Sequence, residues 1–451
     1  MAGIGWKLQR LIDRGSLAGT AEAYLTGVAV TSAPWLLTTA ALLSFRLAGR
    51  NDGSADFAAI EHTVTIAYAL TVALSAPIHV VVSRYTADRL YDRQLDRIAA
   101  PLNRALALTL IGFAAVGIAA MACLRVPLAV AIPGAILTVI VAAQWLMLSV
   151  GGGLSSPGVI LRAFGIGASL SAAAALMMER QAGAGPVGFL YGFAAGQLVT
   201  FVMLLHGVWR AIPTETDETA RLAPAFREYR LLAVSSFAYH ASIWADKVVV
   251  WLAAGRAEAL HYAALASLAW FSVIPAFSWI YVQVETSFYR SFRSFYGGLS
   301  DGATLPELRH GATRITGDAF RILRGAALVQ GAVTLVILLA TPRILSLLGF
   351  PAASAITFRL CLIGSAFQVM TLLALLLLYY FDLRRDAVTV SIMLFAAEIG
   401  LTLGCWAAGL PPSLGYAAAC ALACASGLVL LRSRLQTLLL DTFQSQPFGS
   451  R

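Results

Sequence analysis

Charge is scarce in this chain. Asp, Glu, Lys and Arg make up 12% of its 451 residues, while hydrophobic residues make up 59%. A soluble globular protein carries roughly a quarter charged residues. No polar stretch exceeds about 35 residues, too short to bury a core of its own, so a soluble domain is excluded. Cysteine is also scarce. Cys123, Cys361, Cys405, Cys420 and Cys424 lie in or at the ends of apolar stretches, with no CxxC pair and no ligand spacing. That argues against disulfides and a metal site, and Cys420 and Cys424, four residues apart, read as small packing residues on one helix face. No P-loop occurs, so ATP hydrolysis by this chain is not expected. No DxD-like cluster and no loop long enough for a glycosyltransferase domain is present. The expectation is therefore a chain without catalytic residues, cofactors or metal, and not an enzyme.

What is present is a succession of about twelve apolar stretches of bilayer-spanning length. They run roughly over 21–47, 58–82, 103–124, 128–150, 155–178, 186–208, 231–253, 260–287, 322–341, 353–381, 386–408 and 412–431. The alternating pattern of a membrane barrel is absent, so these are expected to be helices. Counting those toward the end of a stretch with the adjoining connection, 24 of the 32 Lys and Arg fall on the N-terminus, the C-terminus and the even-numbered connections, and 7 on the odd-numbered ones. Lys247 lies inside a stretch. The positive-inside rule then puts both termini in the cytoplasm, and it accounts for the net charge of +9 without nucleic acid. The N-terminus is no cleavable signal, because Lys7, Arg10, Asp13 and Arg14 interrupt it. Ile4, Leu8, Leu11 and Ile12 recur at helical spacing, which predicts an amphipathic helix over 1–20 on the cytoplasmic face.

Three cytoplasmic connections are expected to be long: 83–102, 209–230 and 288–321. The first and third follow helices with a late proline (Pro77, Pro275), and both are rich in Arg and Tyr. This parallel predicts a duplicated architecture: an N-terminal six-helix lobe over 21–208, a cytoplasmic linker over 209–230, a C-terminal six-helix lobe over 231–431 and a cytoplasmic tail over 432–451. The fold class is thus an all-α polytopic membrane protein of about twelve helices in two six-helix bundles. Pro34 and Pro133 also interrupt apolar stretches.

Ionisable residues inside a membrane helix are costly, on the order of 2.5–3.5 kcal/mol each at its centre, and so mark sites. The seventh stretch holds His240, Asp246 and Lys247, with His240, Trp244 and Lys247 on one face. Asp246 and Lys247 are adjacent and project about 100° apart, so each is expected to find its partner elsewhere. They serve either a gate or coupling relay or a structural ion pair, while His240 alone suits packing. The eighth stretch ends with Gln283 and Glu285. Glu285 is expected to pair with Arg290 or Arg293, with a cytoplasmic gate contact to His79 and Arg84 as the alternative. Trp244, Trp270 and Trp279 lie deep enough to serve as platforms for sugar rings. Trp251 and Tyr262 fit an interfacial belt. Gln144, Gln197, Gln368 and Glu398 are further inward-facing candidates, whereas Glu61 and His62 fall near a helix end, where exposure explains them.

The opening MAGIGWKLQRLIDRGS, then SAPW (Ser32 to Trp35), WADK (Trp244 to Lys247) and VETSFYR (Val284 to Arg290) resemble the PelG family, the membrane transporters of the bacterial Pel exopolysaccharide system. The resemblance spans the chain; the usual SGPW is SAPW here, and the stretch after AGIG is less charged than the usual FELRK. It implies the multidrug/oligosaccharidyl-lipid/polysaccharide exporter superfamily. It also implies an inner-membrane location and export of a GalNAc-rich polymer to the periplasm for a biofilm matrix. The implied partners are a cytoplasmic glycosyltransferase, a cyclic-di-GMP receptor subunit and a further membrane subunit. Two other functions remain open: a drug or lipid-linked oligosaccharide exporter of the same superfamily, and a non-transporting scaffold for a synthase.

Overall fold

The structure, a computed structural model, describes residues 9, 16, 18–28, 32, 36, 55–154, 157–181, 185–213, 217 and 219–445. Most of the expected amphipathic helix 1–20 and of the first span lies outside them, as do Ala33, Pro34 and Trp35. Among the described residues there are helices and no strands. A bilayer leaves a spanning backbone no other donors and acceptors than its own, which helices satisfy internally. Among the described residues ten helices are long and apolar enough to cross a membrane, and the protein is a multi-pass membrane protein.

The helical segment 18–28 is α1. It is followed by α2 (Ala55–Tyr91), α3 (Ala99–Leu124), α4 (Leu128–Leu154), α5 (Pro157–Gln181), α6 (Gly185–Trp209) and α7 (Arg230–Ala254). Then come α8 (Arg256–Ser300), α9 (Leu305–Leu347), α10 (Ala355–Tyr380), α11 (Arg384–Ala407), α12 (Pro412–Gln436) and the short α13 (Leu438–Ser445). α7 is not among the ten, because its Ser, His, Asp and Lys residues lower its hydropathy, but its 25 residues are ample for a span. The described residues form two compact units, one within Ser32–Ala241 and the other within Ala2–Thr31 and Ser242–Arg451.

In the first unit two buried apolar clusters form the core. One includes Val82, Leu102, Leu146, Met147, Phe164 and Leu204. The other includes Ile60, Val64, Leu137, Val141, Phe189 and Phe193. α5 and α6 meet most closely. A Cβ on Gly192 would stand 2.5 Å from the Ala174 backbone, and one on Gly196 2.2 Å from the Ser171 nitrogen. Glycine at four-residue spacing lets the two backbones touch, as small residues do where helices associate in lipid.

Of the connections expected to be long loops, 83–102 and 288–321 are largely helical. α2 continues to Tyr91, and after Arg93 turns the chain with φ 58°, a 3-10 turn (Leu95–Arg97) leads into α3. The segment 209–230 carries a short helix (Ala223–Glu228) and is held to the first unit. Arg97 pairs with Asp217 at 3.2 Å, Arg104 donates to the Ala220 carbonyl at 2.6 Å, and Leu222 is buried in the first cluster. The Tyr229 hydroxyl donates to Asp88. Hydrogen bonds from the Thr219 hydroxyl and N–H, helped by Arg97, hold the Asp217 carboxyl below the usual range. Burial, then the Asp88 bond and charge, push the Tyr229 phenol up.

In the second unit α8 is continuous but irregular. Pro275 has no N–H to donate to the preceding turn, and a 3-10 turn (Phe271–Val273) precedes it. A π turn over Val284–Phe288 follows before regular helix resumes at Tyr289. The expected loop 288–321 is a helical hairpin. α8 runs to Ser300, Gly302 turns the chain with φ 76°, and Thr304 and Glu307 form a capping box that starts α9. Ser291 and Phe295 are buried while Arg290 and Arg293 are exposed. Such an amphipathic helix escapes a search for apolar runs. Phe288 stands edge-on to Tyr380 and Phe381, with ring centroids 5.3 and 5.9 Å away, which ties the π turn to the end of α10.

Candidate functional site

A buried polar cluster in the second unit draws on five helices. Asp246 of α7 is 0% exposed and Lys247 8%. Contrary to their expected divergence, they pair with each other. The Lys247 Nζ donates to the two Asp246 oxygens at 2.9 and 3.1 Å, and to the Ile243 carbonyl at 2.9 Å. The flexible four-carbon stem of lysine spans the angle between adjacent positions, and a low-dielectric interior rewards contact.

Tyr262 of α8 donates to Asp246 Oδ2 at 2.8 Å and is 4% exposed, so it belongs to this cluster and not to an interfacial belt. Lys247 Nζ lies 5.2 Å from the centre of the Tyr416 ring of α12. The Tyr416 hydroxyl donates to Gln368 Oε1 of α10 at 2.7 Å. Glu398 of α11 is fully buried, receives the Cys420 thiol at 3.6 Å, and lies within electrostatic range of both Asp246 and Lys247. Cys420 therefore does more than fill space. Among the described residues of α10 to α12, Glu398 Oε2, Gln368 Nε2, Thr402 Oγ1 and Ser413 Oγ are buried without a hydrogen-bond partner. Each such atom costs about 1–3 kcal/mol if left dry.

A second constellation in the same unit surrounds Tyr24 of α1. Trp279 stacks on its ring at 5.9 Å and 11°, and Gln283 Nε2 donates to its hydroxyl at 3.1 Å. Gly325 of α9 makes the seat for the indole, because a Cβ there would come within 2.2 Å of it. Trp270 packs on Phe277 at 6.4 Å, and its Nε1 has no partner. Glu285 lies in the π turn, 8% exposed, and among the described residues it pairs with neither Arg290 nor Arg293. Glu285 is buried while Arg290 and Arg293 reach the surface, which keeps the acid and both arginines apart. Trp244 is half-buried.

In the first unit His79 meets His240 edge-on at 5.5 Å. His240 Nδ1 lies 2.7 Å from the Ser236 carbonyl, which fixes Nδ1 as the donor and suits a packing histidine. Arg84 is exposed and pairs with Asp88 on its own helix at 3.3 Å. Gln144 Nε2 donates to the Gln197 carbonyl at 2.6 Å, and Gln197 reaches Ser171 at 3.2 Å. His62 is buried, 5% exposed, so exposure does not explain it.

The family described as "PelG: Putative exopolysaccharide Exporter (EPS-E)" matches residues 1–443. The chain belongs to the PelG family. No match to a curated protein reaches significance. Among solved structures the fold is similar to an outward-facing multidrug resistance MATE family transporter of the MOP superfamily, with TM-score 0.66, 15% identity, and 97% of this chain and 99% of that one covered. It is similar to a MATE crystallised with MaL6, with TM-score 0.66, 15% identity, and 92% and 96% covered. It is also similar to a MOP superfamily transporter from Pyrococcus furiosus described as having a binding pocket of reverse polarity, with TM-score 0.65, 13% identity, and 97% and 99% covered. At these identities the likeness establishes the fold, a transporter fold.

Within the PelG family stretches of this chain, WADK supplies the buried Asp–Lys pair and VETSFYR forms the π turn and the two residues after it. Tyr416 left no mark in the sequence, since a lone Tyr near the start of an apolar helix reads as interfacial. Tyr262→Phe tests the cluster. It removes the donor to Asp246 and should lower stability by about 1.5–3 kcal/mol, the range for a hydrogen bond to a charged group. The measurement is thermal unfolding in detergent; an unchanged transition would show that the bond contributes nothing.

Proposed function

We propose that this PelG-family membrane protein exports a Pel-type, GalNAc-rich exopolysaccharide from the cytoplasm to the periplasm across the bacterial inner membrane, for a biofilm matrix. In this reading twelve helices form two six-helix lobes joined by 209–230, with both termini cytoplasmic. A cytoplasmic glycosyltransferase, a cyclic-di-GMP receptor subunit and another membrane subunit supply the polymer. The carrying observation is the buried cluster around Asp246, Lys247 and Glu398 in a chain of an exporter family. A carboxylate with an unpartnered oxygen beside an ion pair can take up and release a proton, which suits gating or coupling. Scarce intramembrane charge fits a neutral, acetylated polymer. Trp244, Trp270 and Trp279 would offer ring faces to it, and Gln283, Glu285, His79 and Arg84 would lie toward the cytoplasmic mouth.

A scaffold would need every buried polar group satisfied by protein. Asp246 and Lys247 meet that condition, but Gln368 and Glu398 each keep a buried atom without a partner. A cation-coupled drug exporter with an acidic site in its N-terminal half is disfavoured, because no carboxylate of the first unit is buried among the described residues. The test is secretion from a strain lacking the native gene and carrying Trp270→Leu with Glu285→Gln. Loss of a platform and a gate contact worth together about 1.4 kcal/mol should lower secreted polymer about tenfold at equal protein level. Normal secretion would remove these residues from the path.

A further inference from the structure

The hairpin of α8 and α9 forms a half-open cavity of about 260 Å³ lined by Ser287, Arg290, Ser291, Arg314, Asp318 and Arg321. Its walls follow from helical register. Ser287, Arg290 and Ser291 share one face of α8 at spacings of three and four, directly after the π turn. Arg314, Asp318 and Arg321 share one face of α9 at spacings of four and three.

Asp318 is 5% exposed and already neutralised. Ser291 donates to its Oδ2, and Arg321 Nη1 donates to its Oδ1 at 2.7 Å. Ser287 donates to the Gln283 carbonyl at 3.1 Å. Both hydroxyls are thus committed, and the free donors are guanidinium N–H groups. Arg290 and Arg314 are exposed and form no ion pair among the described residues. Three arginines against one carboxylate leave two uncompensated positive charges around the cavity. The topology rule requires arginines on this side of the membrane, but it does not require them to converge from two helices on one hollow.

We propose that this cavity binds a phosphate-bearing anion, held by Arg290 and Arg314 and closed on one side by the Asp318–Arg321 pair. Guanidinium forks match phosphate oxygens two at a time. The volume lies below the about 300–1,000 Å³ of pockets for drug-sized ligands, so the site suits a phosphate or diphosphate head and not a run of sugars. Two sources supply that head: the diphosphate of a nucleotide, and the headgroup of an anionic lipid. This inference stands apart from the export reading, since it concerns other residues and is read by binding.

The full chain in phosphatidylcholine nanodiscs is titrated with inorganic pyrophosphate and with UDP. In parallel, phosphatidylglycerol retained through purification from mixed bilayers is counted by mass spectrometry. The wild type is expected to bind the soluble probes or to retain phosphatidylglycerol, and Arg290→Gln with Arg314→Gln to weaken that binding about tenfold or more. The two arms identify the source. The single variants, each several-fold weaker, replace the double variant if it does not insert. A wild type that binds neither probe and retains no phosphatidylglycerol overturns the proposal. So does unchanged binding by the folded double variant.

Discussion

Lys247→Ala should abolish polymer secretion and sharply lower stability, and Asp246→Ala should do the same. In each variant one buried charge loses its partner. Lys247 would keep only the Ile243 carbonyl, and Asp246 only the Tyr262 hydroxyl. Breaking a buried pair from one side costs about 3–5 kcal/mol, a large part of the about 5–15 kcal/mol that holds a protein folded. Loss of secretion alone would therefore not distinguish chemistry from collapse. The neutral pair Asp246→Asn with Lys247→Met separates them. It keeps an acceptor for Tyr262, removes both charges and preserves length, and replacing both partners of a buried pair is often close to neutral. The expected result is a melting transition restored toward the wild type with secretion still absent. Wild-type secretion from the neutral pair, at normal protein level, would reduce these two residues to a structural pair.

Gly196→Ala should unfold the first unit, although alanine is the mildest of replacements and favours helix. The added Cβ would stand 2.2 Å from the Ser171 nitrogen and 2.4 Å from its Cα, against backbone that no rotamer change can move. Overpacking a core costs about 1–3 kcal/mol where side chains can shift, and more where they cannot. Gly192→Ala, facing the Ala174 backbone at 2.5 Å, should behave alike. Gly165→Ala on α5 is the control. Nothing lies within 4 Å of its added Cβ, and exchanging glycine for alanine in a helix gains about 0.5–1 kcal/mol. Thermal melts followed by size-exclusion fluorescence should show Gly196→Ala lost or aggregated and Gly165→Ala unchanged or slightly raised. A normal melt for Gly196→Ala would mean the α5–α6 backbones do not touch.

The glycines show how far the sequence can be read. Gly165 and Gly196 look the same in the chain, and only the neighbouring backbone makes one indispensable. The apolar spans were legible because burying a helix in lipid demands a long apolar run, a local property that composition displays. The residues of the buried cluster were partly legible for the related reason that charge inside such a run is costly. Asp246, Lys247 and Glu398 stood out, whereas Tyr262 and Tyr416 did not, since tyrosine suits an interface as well as a buried hydrogen bond. The reach of 288–321 was misjudged because the hairpin is amphipathic, and hydropathy ends where its arginines begin.

Composition alone points to a polytopic helical membrane chain, because lipid admits only helices and closed barrels and the alternation of a barrel is absent. Pairing is another matter. That Lys247 folds back onto its own neighbour depends on what surrounds it: Tyr262, Glu398 and Tyr416 lie 15, 151 and 169 residues beyond Lys247. Likewise Glu285 stays buried while the arginines that follow it are exposed, and Ser291 finds Asp318 across the hairpin on α9. Local pattern carries no record of which side chains long-range packing brings within 3 Å, and it is those encounters that make the candidate sites.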